Sequence, residues 1–148
     1  MLFPSSQLDK IFKTEQSIKS ITGFNKHEKI MKAQEGGTDI VVHDHMANIC
    51  SQSGTDSTGL GRWCWFNIEG KQGLNTKIIA TYQPCRSSKK AHMSTYAQHR
   101  RYFRQRGDDI CPYFLLRTQF EKELKTWLDK GDMVTVFMDT NEDLSKDI

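Results

Sequence analysis

The sequence lacks several patterns that would place it in a familiar class. No apolar run approaches the ~20 residues that a membrane span requires, so no transmembrane helix is predicted. Residues 1–5 lack the basic and apolar regions of a secretory signal, which predicts an intracellular setting. None of the four cysteines forms a C-x-x-C pair, so a structural zinc knuckle is not expected. A Ser/His/Asp triad, a phosphate-binding glycine loop and an H-E-x-x-H zinc motif are also absent from the sequence.

What is present is typical of one folded domain. The chain has 148 residues, of which 36% are hydrophobic, enough to bury a core rather than remain disordered. No internal repeat or low-complexity tract divides it. We therefore treat residues 1–148 as a single domain.

Charge is distributed unevenly, although the net charge is only +3. Residues 86–106 contain no carboxylate, and their arginines and lysines are Arg86, Lys89, Lys90, Arg100, Arg101, Arg104 and Arg106. From Asp132 onward the chain holds five acidic residues and one lysine. A basic stretch facing an acidic cluster suits a site that attracts phosphate and also binds a cation.

Hydrophobic periodicity and turn residues predict an α+β protein. The predicted elements are a short helix capped by Ser5 and Ser6, strands near 18–22, 38–42, 46–52, 62–69, 76–82 and 133–139, and helices near 94–106 and 112–128. This order fits a layered α+β sandwich better than regular βαβ winding.

Three of these elements carry predictions about burial. In the strand at 62–69, Trp63 and Trp65 alternate with Cys64, Phe66 and Ile68, so both faces should be covered. The strand at 133–139 is apolar up to Met138, which predicts a buried strand. The helix at 112–128 should bury one stripe, formed by Leu116, Phe120, Leu124, Trp127 and Leu128.

Two strand ends carry polar side chains suited to phosphate chemistry. Asp139 and Asn141 follow the last strand and would share a side, where a carboxylate can activate water and an amide can hold an oxyanion. Tyr82 ends an earlier strand, and its hydroxyl and the Arg86 guanidinium could donate to phosphate oxygens. Each pattern alone is explained better by a solvated turn or by a tyrosine at the edge of the core.

Together and in this order, the motifs resemble the DNase I-like endonuclease/exonuclease/phosphatase superfamily. The matching features are Gly36-Gly37 before a strand, the paired strands before Tyr82, Tyr82-Gln83-Pro84 and Asp139-Thr140-Asn141, within about residues 36–143. Gly59-Leu60-Gly61-Arg62-Trp63 and Tyr82-Gln83-Pro84-Cys85 resemble a divergent branch found near mobile-element reverse transcriptases. The resemblance implies a partial four-layer α/β/β/α sandwich with mainly antiparallel mixed sheets.

The resemblance also implies a divalent-metal-dependent phosphodiesterase, and it assigns roles to three residues. Asp139 would polarise the attacking water, Asn141 would position the phosphate or that water, and Tyr82 would bind the scissile phosphate. The implied cofactor is Mg²⁺ or Mn²⁺, which needs few protein carboxylates. The metal ligands themselves are unknown, since Glu35 abuts Gly36 and fits a surface loop better than the family's metal glutamate.

The chain departs from the family pattern in two further places. Met138 replaces the glycine that usually precedes the aspartate, which would tighten the strand exit, and the closing Ser-Asp-His segment with the family's histidine is not found. The missing glutamate and histidine predict a truncated domain that is inactive by itself. Flanking parts of the same polypeptide would then complete the site. Sequence alone leaves open whether the substrate is DNA, RNA, a phospholipid head group or an inositol phosphate, although the basic stretch favours nucleic acid.

Two other interpretations of the chain remain open. It could be a catalytically dead module that binds nucleic acid through residues 86–106, chiefly Arg86, Arg100, Arg101 and Arg104. It could instead be a non-functional retroelement remnant. His43 and His45 flank Asp44 and could bind a metal, but ordinary surface histidines explain them better.

Overall fold

The structure is a computed structural model, and it describes residues 17–28, 36–85 and 94–141. The strands are β1 (Ile18–Gly23), β2 (Thr38–His43), β3 (Cys50–Thr55), β4 (Trp63–Glu69), β5 (Asn75–Tyr82) and β6 (Met133–Asp139). The helices are α1 (Asp44–Ile49), α2 (Thr95–Arg104) and α3 (Pro112–Leu128), and a short 3₁₀ turn spans Lys71–Gly73. The helix predicted from Ser5 and Ser6 lies outside the described residues.

The strands form two sheets. One contains β1 and β2, and the other has the order β3-β4-β5-β6. Every pair is antiparallel except β5 and β6, which are parallel. The predicted α+β class with mainly antiparallel mixed sheets is therefore confirmed.

Strand β4 lies in the middle of the structure, as its two apolar faces predicted. Trp63 packs with α3 in one cluster, while Phe66 and Ile68 pack with the β1–β2 sheet in another. Cys64 is fully buried on the second face, where its thiol lies 3.7 Å from the Ile21 carbonyl oxygen. Layers on both sides explain why both faces of β4 carry large apolar side chains.

Helix α3 has the bounds that the sequence predicted. Pro112 occupies its first turn, and Gly131 follows it with a positive φ of 83° that terminates the helix. Leu116, Phe120 and Trp127 are buried against the sheet. The assignment of Leu128 to the buried stripe was wrong, because this side chain is 58% exposed. One residue beyond Trp127, it is rotated by about 100° around the helix axis.

The predicted strand at 46–52 was wrong in its first half. Residues Asp44–Ile49 form α1, and the strand begins only at Cys50 and continues to Thr55. Ala47 and Cys50 both join the core cluster with Phe66. Their three-residue spacing matches a helical turn and not the alternation of a strand.

The prediction that the last strand is buried was also wrong. Strand β6 ends at Asp139 as predicted, but it is the outermost strand of its sheet, and Met133 and Phe137 are 60% and 62% exposed. Only Val134 packs against the cluster under α3. The β1–β2 sheet covers β3, β4 and β5, which leaves the second face of β6 uncovered among the described residues.

None of the helices in the described ranges has the length and apolar character needed to cross a bilayer.

Candidate active site at the ends of two parallel strands

The site is built on the last residues of β5 and β6. These strands are parallel neighbours, and Tyr82 is the register partner of Asp139. Because parallel strands end at the same edge of a sheet, both side chains leave the sheet at one place. The structure thus brings together the two residues that the sequence singled out separately.

Backbone and side-chain hydrogen bonds join the segments that follow these strands. The Gln83 backbone N–H donates to the Asp139 carbonyl oxygen over 2.9 Å, and Asn141 Nδ2 donates to the Gln83 carbonyl oxygen over 2.7 Å. Asn141 has a positive φ of 50°, a conformation that asparagine tolerates well, and its N–H donates to Asp139 Oδ1 over 3.0 Å. The predicted carboxylate–amide pair is therefore fixed beside Tyr82.

The Tyr82 phenol is partly buried at this edge. Burial is the main cause that raises its pKa, and Cys85 and Asp139 act in the same direction. Side-chain hydrogen bonds with Thr95 and Asn141 lower the pKa by less. The phenol therefore stays protonated at neutral pH and can donate a hydrogen bond to a phosphate oxygen.

A glycine allows a third segment to approach the phenol. Gly36 has a positive φ of 78°, and a Cβ on it would lie 2.6 Å from Thr95 Oγ1 and 3.1 Å from Tyr82 Cε1. Any larger residue would displace these side chains. The segment that precedes β2 is thereby held against the end of β5 and the start of α2. Glu35 and Arg86 lie outside the described residues.

The N-terminus of α2 is the fourth part of this edge. Ser94 caps the helix by accepting a hydrogen bond from the Ala97 N–H over 3.3 Å, and Thr95 is next to the Tyr82 phenol. A helix N-terminus carries partial positive charge and favours an anion nearby. The edge thus combines one exposed carboxylate, a carboxamide, a neutral phenol and a helix dipole.

A buried ion pair between Asp56 and Arg62, which the sequence did not predict, lies next to this edge and is bonded to the end of β5. The Arg62 guanidinium donates to both Asp56 carboxylate oxygens over 2.6 and 2.8 Å, and to Gln119 Oε1 over 2.7 Å. The Arg62 carbonyl oxygen accepts from the Tyr82 N–H over 2.9 Å and from Thr81 Oγ1 over 3.1 Å. In the sequence, Arg62 belongs to the Gly59–Trp63 motif, and this motif does not indicate Asp56 as its partner.

His99 lies beside this pair and is only 1% exposed. Burial first, and the positive charge of Arg62 second, lower the pKa of the imidazole to about 4, against weaker opposing effects of Asp56 and the Leu60 backbone. Neither ring nitrogen makes a hydrogen bond of good geometry within the described structure. His99 is therefore neutral and buried at physiological pH.

This burial predicts an acid-sensitive fold. An unfolded histidine takes up its proton near pH 6.5, whereas folded His99 resists protonation down to about pH 4, so stability should decline as pH falls through that window. The expected loss is on the order of 3 kcal/mol, measured by denaturant unfolding at pH 7.5 and pH 4.5. His99→Gln should flatten the pH dependence, and the exposed His45→Gln should not. An unchanged pH profile in His99→Gln would contradict this assignment.

Two arginines of the basic segment 86–106 are paired with carboxylates, which the sequence did not indicate. Arg101 bonds Glu28 over 2.6 Å, and Arg104 bonds Asp109 over 2.7 Å. Arg100 is exposed on the same helix. The segment contains no acid of its own, but the fold brings acids to it from elsewhere in the chain.

The described residues do not by themselves fit a divalent metal. They contain no group of three or more histidine, cysteine, aspartate or glutamate side chains placed to hold an ion. Asp139 contributes one carboxylate at the strand ends. His43 and His45 are exposed, as expected of surface histidines, and His43 Nδ1 contacts Asp44 Oδ2 at 2.8 Å.

Comparison of the chain with protein-family models, with curated proteins and with solved structures found no match.

Proposed function

We propose that the ends of β5 and β6 form part of a phosphodiester-hydrolysing site of the DNase I-like kind, acting on DNA or RNA. The observation that carries the proposal is the register pairing of Tyr82 with Asp139 on parallel strands, with Asn141 bonded across to Gln83. Two motifs that are 57 residues apart in the sequence thereby share one edge. A chance pair of solvated turns has no reason to meet in this way.

The chemistry assigned to each residue follows from its group. The exposed Asp139 carboxylate would accept a proton from a water whose oxygen bonds to phosphorus while the phosphorus–oxygen bond to the leaving group breaks. The neutral Tyr82 phenol donates to a phosphate oxygen, and the Asn141 carboxamide positions the phosphate or the water. Positive potential at the N-terminus of α2 favours the anionic group.

The layer order supports the same class of protein. Helix α3 covers one face of the four-stranded sheet, and the β1–β2 sheet covers the other. These are three layers in the order α/β/β, which we interpret as part of an α/β/β/α sandwich. The fourth layer, the metal ligands and the group that protonates the leaving oxygen would come from residues beyond those described. Mg²⁺ or Mn²⁺ is the cofactor that this class would require.

Oligonucleotide binding tests the proposed site directly. Asn141→Ala and Tyr82→Phe each remove one hydrogen-bonding group, and we expect each to weaken binding of a nuclease-resistant phosphorothioate oligonucleotide about tenfold. Asn48→Ala on the exposed surface of α1 is the matched control and should bind normally. Fluorescence anisotropy at fixed salt measures the effect. Equal affinities for Asn141→Ala, Asn48→Ala and the unmodified chain would remove the support for the site.

Cleavage is a separate question, because the 148-residue chain contains no Ser-Asp-His segment to protonate the leaving oxygen. With Mg²⁺ and supercoiled plasmid, we expect it to nick no faster than Asp139→Ala. Nicking that is lost only in Asp139→Ala would refute the expected inactivity and support the assigned role of Asp139.

A second candidate is a catalytically dead module that binds nucleic acid. Arg100 and Arg104 favour it, since both are exposed and lie four residues apart on one face of α2. Salt-sensitive binding that survives Asp139→Ala and Asn141→Ala but is abolished by Ala substitution of Arg100, Arg101 and Arg104 would favour this candidate.

A further inference from the structure

A pocket of about 600 Å³ lies between the first half of α3 and the ends of β5 and β6. Met138 and Thr140, which flank Asp139 in the chain, both line it. Side chains alternate along a strand, so Met138 lies on the same face as Val134, which packs under α3, and Asp139 lies on the opposite face. The pocket is therefore directly behind the strand-end site, across the same edge of the sheet.

The wall of this pocket includes an exposed phenylalanine. Phe114, in the first turn of α3, is 59% exposed, and Met138 on β6 is 41% exposed. Leu116 and Phe120 also line the pocket, but both belong to the buried cluster under the sheet. An aromatic ring that stays this exposed beside a pocket offers a flat π face on which a second ring can stack.

Polar groups of the wall are engaged with neighbours of their own. Gln83 Nε2 donates to the Thr140 carbonyl oxygen over 3.1 Å. The Cys111 sulfur lies 3.6 Å from the Tyr96 hydroxyl oxygen, and the rings of Tyr96 and Tyr113 pack with their centroids 6.0 Å apart. Because these groups already have partners, we expect a ligand to be held through apolar and aromatic surface more than through new hydrogen bonds.

One ion pair at the pocket is open to solvent. Arg117 Nε lies 3.8 Å from Glu121 Oε1, one helical turn further on α3, and the two side chains are 81% and 67% exposed. A pair this exposed contributes little to stability, so it can exchange partners at small cost. The pocket thus combines an aromatic and apolar wall with a donor and an acceptor at its exposed side.

We propose that this pocket binds an unpaired nucleobase of a nucleic-acid strand whose phosphate lies at the strand-end site, an inference that rests on the proposed function. A base has two flat faces suited to stacking on Phe114, and an edge of donors and acceptors that can meet Arg117 and Glu121. An acyl chain has neither a π face nor a polar edge. The bases of a regular duplex are already paired and stacked, so the expected ligand is a single strand or an unpaired nucleotide.

Two equally exposed side chains of α3 give a matched test. Leu128 is 58% exposed, against 59% for Phe114, but it lies ~21 Å further along the helix. We expect Phe114→Ala to weaken binding of a single-stranded phosphorothioate oligothymidylate about tenfold, Phe114→Trp to restore it, and Leu128→Ala to have no effect. An oligomer with the same backbone but no bases should bind equally to the unmodified chain and to all three variants.

Fluorescence anisotropy at fixed salt measures these affinities. Equal affinities of Phe114→Ala and Leu128→Ala for oligothymidylate would overturn the proposal. So would an equal weakening of the base-free oligomer by Phe114→Ala, because the lost contact would then not be with a base.

Free thymidine separates the pocket from the strand-end site, because this nucleoside carries no phosphate. We expect saturable NMR shifts at the backbone amides of Phe114 and Arg117, and smaller shifts at Arg117 in Phe114→Ala. Thymidine shifts together with equal oligonucleotide affinities for Asn141→Ala and the unmodified chain would support the pocket and refute the strand-end site. If thymidine shifts neither amide, the pocket proposal is overturned, whatever the effect of Asn141→Ala.

A short-chain phospholipid tests the other occupant that an apolar wall can accept. Monomeric dihexanoylphosphatidylcholine should leave the amide signals of Phe114 and Arg117 unshifted at concentrations where thymidine shifts them. Shifts with the phospholipid and none with thymidine would overturn the nucleobase assignment in favour of an acyl chain.

Discussion

Asp56→Ala is expected to destabilise the fold by about 3–5 kcal/mol. The Asp56 and Arg62 side chains are both 0% exposed, and the substitution leaves the guanidinium charged and buried without its counterion. Burial alone would raise the pKa of the Asp56 carboxyl, but hydrogen bonds and charge from Arg62 hold it below its ordinary value. The pair therefore contributes at neutral pH, and its contribution is lost as pH falls through the acidic range in which Asp56 takes up a proton.

Urea unfolding at pH 7.5 measures the effect of Asp56→Ala. Asp109→Ala is the matched control, because it removes a carboxylate that bonds an arginine over a similar distance, 2.7 Å, but on the surface. Exposed pairs contribute little, so Asp109→Ala should unfold at nearly the same denaturant concentration as the unmodified chain. Similar effects of the two substitutions would show that the buried ion pair stabilises the fold no more than the exposed one does.

Alanine substitutions at two leucines of α3 are expected to differ strongly in their effect on stability. Leu116 is 1% exposed and lies in the cluster with Trp63 and Ile79, whereas Leu128 is 58% exposed. Leu116→Ala leaves a cavity under the sheet and should cost about 2–5 kcal/mol, while Leu128→Ala should change stability by less than about 0.5 kcal/mol. Both are measured from unfolding midpoints. A larger loss for Leu128→Ala would mean that α3 packs through a different face.

Local sequence pattern was sufficient for β4 and for the bounds of α3, although it missed the helix at Asp44–Ile49. The alternation in β4 predicted which side chains face each neighbouring layer, and Pro112 with Gly131 marked the ends of α3. The positions of Tyr82 and Asp139 at strand ends were also readable, because an apolar run stops at each. Their register pairing joins two runs that are distant in the chain, and it could not be obtained from either run alone.

Local pattern failed where partners are distant in the chain. The apolar run of β6 looks buried by composition, but its exposure depends on where the β1–β2 sheet stops, which no local pattern encodes. Likewise, the acid-free stretch 86–106 gave no sign that Arg101 would meet Glu28, 73 residues away. The burial of Arg62 is not predictable from the sequence, because it depends on the position of its counterion Asp56 in the fold.

The hydrogen bonds accepted by the Arg62 carbonyl oxygen affect how variants of this chain should be interpreted. It receives hydrogen bonds from both Thr81 and Tyr82, so the residue that anchors the internal ion pair also sets where the phenol sits. A substitution at Asp56 would shift the phenol although Asp56 is not itself part of the proposed strand-end site. In a mutational scan scored by function, substitutions at Asp56 would thus lower the score as substitutions at the proposed site would. Only a parallel stability measurement would distinguish a destabilised fold from a lost functional group.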